Sequence, residues 1–163
     1  MPVSEGPRWR EEDVRAALAA QGFVCRGSLP PVGWFGDSPV LARELAVLVR
    51  RGRKQATAGL LWQWEAERGG PPTVGEREVV IDWLGTPLAV IELTEVRVLP
   101  FLEVDAAFAS DEGEGDGSLA HWRDAHRSYF SRECARLGRQ FDDATPVVCM
   151  RFRVLHAAPD AAA

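Results

Sequence analysis

The segment Gly52-Arg53-Lys54-Gln55-Ala56-Thr57 sets an amine and a hydroxyl three residues apart beside a glycine, and the acidic run Asp111-Glu112-Gly113-Glu114-Gly115-Asp116 offers carboxylates later in the chain. These are the parts of a small hydrolytic or RNA-handling site. For amide cleavage, Lys54 would serve as a base if burial or the neighbouring Arg53 lowered its pKa from about 10.4 toward neutrality. Thr57 would be the nucleophile or would hold the attacking water. Strand side chains alternate between faces, so positions 54 and 57 share a site only if a turn or bulge follows Gly52. Each group also has a plainer role. A cation suits the end of a helix, a threonine suits a strand, and an acidic run with glycines suits a solvated loop.

The elements that must position these groups follow from periodicity and punctuation. Residues 8 to 21 carry Trp9, Val14, Ala17 and Leu18 at helical spacing, and the Gly/Pro-rich stretch 27 to 39 breaks regular structure. Ser38 and Pro39 read as the cap and first turn of a second helix with the apolar face Leu41, Leu45, Leu48 and Val49. Gly52 ends it, which puts Arg53 and Lys54 on an exposed turn. A short helix is expected over 60–67. Residues 78–83, 88–93 and 95–99 are β-branched runs, with Leu84-Gly85-Thr86-Pro87 as a hairpin turn. Ser118 caps a helix in which Leu119, Trp122, His126, Tyr129, Phe130 and Leu137 recur, with Gly138 beyond its end; residues 146–155 form a last strand. The expectation is an α+β domain of mostly antiparallel strands.

Composition bounds the function. The 163 residues, 46% apolar and 26% charged, suffice for one folded domain with a real core. A net charge of -5, from 19 basic and 24 acidic residues, makes any nucleic-acid contact depend on a local basic patch. Cys25, Cys134 and Cys149 have no zinc-ligand spacing, and the N-terminal region lacks a secretory apolar run, so a reducing cytoplasm is expected. No stretch reaches the roughly 18 apolar residues of a membrane-spanning helix. His121 and His126 are five apart rather than four, and neither a metal nor a cofactor is expected.

Four segments in this order and spacing carry a resemblance to a known family: Trp34-Phe35-Gly36-Asp37-Ser38-Pro39, Gly52-Arg53-Lys54-Gln55-Ala56-Thr57, the stretch from Phe108 to Asp116, and Trp122-Arg123-Asp124-Ala125-His126-Arg127-Ser128-Tyr129-Phe130. The chain resembles the ASCH domain family, whose members have a β-barrel related to the PUA fold. The resemblance implies a domain over 33–156; the helical spacing and the Gly/Pro-rich loop make 1–32 a helix-and-loop extension, and the Ala/Pro composition of 157–163 reads as a disordered tail. It implies an RNA-related function. Some similar proteins are described as amidohydrolases of N4-acylated cytidines and others as ribonucleases, while a non-catalytic RNA-binding module is the third possibility.

On the amidohydrolase pattern the catalytic lysine and threonine fall on Lys54 and Thr57, and the catalytic glutamate falls on Glu112. A glutamate in that role would orient the exocyclic nitrogen of cytosine and donate a proton to the leaving amine, which calls for a raised pKa. Trp34, in a loop, is the candidate for stacking on an unpaired base, an interaction worth roughly 1 to 3 kcal/mol. Arg53, Arg123 and Tyr129 complete the expected substrate contacts for a nucleoside or single-stranded RNA. His126 reads as a structural histidine on an apolar helix face. Two departures stand out: Met150 replaces a glutamate frequent in similar proteins, and Gly59 stands where compact relatives can carry an arginine.

Overall fold

Local signals explain most of the elements. The computed structural model describes residues 6–160. The first helix, α1 (Glu11–Ala20), buries Val14 and Leu18 and is followed by a two-residue strand, β1 (Val32–Gly33). In α2 (Pro39–Arg50) the Ser38 hydroxyl accepts the Leu41 N–H, proline occupies the first turn, and Gly52 takes φ +75° just beyond the end. Its buried stripe is Ala42, Leu45, Ala46 and Val49, so Leu41 is displaced to the exposed side. Then come β2 (Ala56–Leu60), α3 (Leu61–Arg68), β3 (Arg77–Ile81) and β4 (Pro87–Pro100). Asp82 shapes the β3–β4 hairpin by accepting the Leu84 and Thr86 N–H groups on Oδ1. The two strand runs expected at 88–93 and 95–99 are one strand, since nothing between them breaks an extended backbone.

After a single 3-10 turn at Phe101–Glu103, the chain forms α4 (Ala106–Glu112), α5 (Leu119–Arg136) and β5 (Pro146–Ala157). Helix α4 was not expected. It lies under residues whose acids and glycines read as a loop, and it is set by an Asp105 cap and a left-handed Gly113 at φ +66°. Of the tail expected to be disordered from 157 onward, Ala157 ends β5, Ala158 is buried, and Asp160 pairs with Arg50 at 2.6 Å. Residues 161–163 of that tail lie outside the described residues.

The five strands form one sheet in the order β1-β3-β4-β5-β2, with β2 antiparallel to β5, β3 antiparallel to β4, and β1 parallel to β3. This sheet is open, which corrects the expected barrel. Closure requires the two edge strands to pair, and one edge here is only two residues long.

The chain divides into two compact units: Met1–Arg53 with Arg77–Glu92 and Arg153–Ala163, and Lys54–Glu76 with Leu93–Phe152. The first is built on Val14 and Leu18 against Val79, Ile81 and Val90. The second is built on Phe101, Phe108, Trp122 and Phe130 against Ala56, Leu60, Val147 and Cys149. Phe101 stacks on Trp122 at 5.4 Å and meets Phe130 edge-on at 6.3 Å, the offset geometries aromatic rings prefer.

Candidate active site

Helix α4 carries its acid inward. Phe108 and Glu112 are one turn apart, so the face that seats Phe108 in the core also buries Glu112, which is 1% exposed. Gly113 then reverses the chain, and Glu114 returns to the same place. Lys54, also 1% exposed, comes from the turn before β2. Its Nζ donates to Glu114 Oε1 and to the Ala56 carbonyl, both at 2.8 Å. A main-chain bond fixes the two segments against each other, for the Gln55 N–H donates to the Asp111 carbonyl at 2.7 Å. Beside it, Arg151 donates to Asp111 Oδ2 at 2.9 Å and to Glu95.

Helix α5 closes the cluster with His126. The imidazole stacks on the Trp122 ring at 4.2 Å, its Nδ1 is 2.9 Å from the Trp122 carbonyl, and its Nε2 is 3.2 Å from Glu112 Oε2. That last contact has the distance of an ion pair without the alignment of a good hydrogen bond. Both Glu112 oxygens, and the Trp122 indole N–H, therefore lack a well-aligned partner among the described residues. Burial alone would raise the Glu112 carboxyl, but the Lys54 ammonium and His126 outweigh it and hold it below its ordinary value. Burial likewise works against a charged His126, yet Glu112 prevails and raises its pKa. The Cys149 thiol is pushed up to about 12 by burial and by Glu112, so it is no nucleophile at neutral pH. Glu112, Glu114 and His126 each offer a ligand atom within 4.8 Å of the others and are the residues that could hold a metal ion. The ammonium of Lys54 already lies against one of these carboxylates.

Such a buried lysine among carboxylates can be compared with other proteins. A sequence model of the ASCH domain matches residues 32–156. The chain belongs to the ASCH domain family. The crystal structure of an ASCH domain from Lactobacillus crispatus JV V101 superposes with a TM-score of 0.77 at 34% identity, over 92% of this chain and 96% of that one. A protein from Enterococcus faecalis V583 superposes with a TM-score of 0.76 at 30% identity, over 88% of each chain. No curated protein matches the sequence.

Within this ASCH domain the residues singled out from sequence are not all brought together. Lys54 and Glu112 join one cluster, with Glu114 added. Lys54 precedes β2 rather than lying on it, so a turn does separate it from Thr57. Thr57 pairs across the sheet with Met150, and its neighbours Ala56 and Ala58 point into the aromatic core; strand alternation thus turns Thr57 to the other face. Its hydroxyl makes no hydrogen bond among the described residues. The two departures from the family surround it: Met150 is its cross-strand partner, and Gly59 lies two residues on, where an added Cβ would come within 3.0 Å of the Trp64 indole nitrogen. Arg123 donates to the Leu102 carbonyl, and Tyr129 packs on the core beside Phe130. Trp34 and Arg53 belong to the first unit, where Trp34 lies against Gly6 and Arg53 donates its N–H to Leu48.

Two residues of the cluster, Glu114 and His126, were not among the site residues expected from sequence. His126 was placed with the core, although the Trp122-x-x-x-His126 spacing that stacks the rings also aims the histidine at whatever α4 presents. Glu112 was expected at the site, but Lys54 and His126 hold its carboxyl below its ordinary value, opposite to the raised pKa expected of it.

Proposed function

We propose that this ASCH-family protein binds a cytidine-type nucleoside and hydrolyses the amide of an N4-acylated cytosine. The observation that carries the reading is the buried Lys54 ammonium set against Glu114 and Glu112, with Glu112 keeping open acceptor capacity. Family membership supports an RNA-related ligand. The charge balance of the site favours a neutral amide over a phosphodiester, because Glu112, Glu114, Asp111 and Glu95 crowd Lys54 and Arg151 and would repel a phosphate.

Lys54 stabilises the oxyanion that forms when the acyl carbonyl is attacked, a role that suits a cation already free of bulk water. Ionised Glu112 accepts a proton as water adds to the acyl carbon. The C–N bond then breaks and that proton passes to N4, leaving cytosine amine and a carboxylic acid. Water rather than Thr57 is the nucleophile: a nucleophilic hydroxyl needs a base in hydrogen-bond reach, and Thr57 lies on the other face of β2 from Ala56 and Ala58.

Incubation with N4-acetylcytidine, followed by chromatography, tests the reading. Wild type releases cytidine, and Glu112→Gln lowers kcat by about 10² or more. Intact substrate with wild type, or fragments from a short single-stranded RNA in its place, overturns it.

A further inference from the structure

The placement of Glu112 relative to Lys54 is decided one residue earlier, at Asp111, which is held twice. Its carbonyl accepts the Gln55 N–H at 2.7 Å, from the turn that carries Lys54, and its carboxylate accepts Arg151 Nε at 2.9 Å. Arg151 lies on β5, opposite Ala56 in the ladder with β2, and its Nη1 donates to Glu95 on β4. The guanidinium carbon also stands 5.3 Å from the centre of the Phe108 ring, the side chain that seats α4 in the core. Phe108 and Asp111 are three residues apart and so neighbours on the helix surface. One planar group thus ties the last turn of α4 to two strands, which a compact ammonium could not do with the same fork of donors.

We propose that Arg151 is a positioning residue that clamps the end of α4, so that Glu112 is presented to Lys54 and to the attacking water in one fixed geometry. The clamp is a matter of geometry alone; its role in turnover rests on the hydrolytic reading. With Asp111 and Glu95 on its Nε and Nη1, Arg151 is already neutralised and is no phosphate site. Both carboxylates are partly exposed, so the pairs add little to global stability. What they fix is direction. A displacement of about 1 Å at a reacting group can cost about 10² in rate.

Steady-state kinetics with N4-acetylcytidine separate direction from bulk stability. Arg151→Gln is expected to lower kcat about tenfold, with KM within about twofold and the urea midpoint little moved. Asp111→Ala loses the same factor, and the double variant loses no more than either single change, because the two groups act as one unit. Arg151→Lys stays low, since it keeps the charge and loses the fork. An unchanged kcat, full recovery with lysine, additive losses, or a kcat that falls only in step with the unfolding midpoint overturns the role. A second measurement needs no turnover: hydrogen exchange at the Gln55 amide in the intact chain. Arg151→Gln speeds it by about tenfold as the end of α4 loosens. Unchanged exchange overturns the clamp. Faster exchange in a protein that releases no cytidine keeps the clamp and overturns the hydrolytic reading alone.

Discussion

An ammonium group whose side chain is 1% exposed must be compensated where it stands, and Lys54 meets that demand through Glu114 and the Ala56 carbonyl. Removing the cation leaves Glu112 and Glu114 with only His126 to balance them. Lys54→Met is therefore expected to lower stability by about 3 to 5 kcal/mol in denaturant titration, while Lys54→Met combined with Glu112→Gln and Glu114→Gln regains much of it. The position of this lysine was legible because Gly52 stops α2 and delivers the next residues to a turn. Its burial was not, since the partners that bury it stand about sixty positions away. Glu112 was legible only through the family pattern. Its lowered pKa depends first on Lys54 and then on His126, and spacing along one helix says nothing about the elements it will face.

Among the elements, α4 matters most to the site and was the least visible. Its sequence mixes helix-favouring alanines with an acidic, glycine-rich end, and the acids dominate a reading by composition. The cap at Asp105 and the stop at Gly113 were both present to be read. Gly113 adopts φ +66°, where a Cβ is strained, and it is the joint between Glu112 and Glu114. Gly113→Ala should cost about 1 kcal/mol by thermal or chemical unfolding and lower turnover beyond that, because it misdirects one of the two carboxylates. The helices α2 and α5 were legible from cap to stop, since their punctuation is local. Closure of the sheet was not, because it depends on which distant strands become neighbours.

At the scale of the whole molecule, the titrating groups set where the protein is most stable. Glu78 is partly buried on β3, with its carboxyl over Gly33, and burial raises its pKa from 4.5 to about 7. The folded state thus binds more protons than the unfolded state between those values, and stability falls as pH rises from 4.5 to 7. Glu112 acts in the opposite sense: its pKa is lowered, so its contribution is present above 4.5 and lost as pH falls. His126, with its pKa raised, contributes fully below 6.5 and less as pH rises through its folded value. Together these place the stability maximum on the acidic side of neutrality. Glu78→Gln should flatten the decline toward pH 7 and raise stability there by roughly 1 to 3 kcal/mol, read from urea midpoints across pH. The bond from the Gln55 N–H to the Asp111 carbonyl joins two stretches that the sequence keeps far apart. It works as a ruler: the amine before β2 and the acid at the end of α4 keep a common origin, and fraying of that last helical turn would detune both at once.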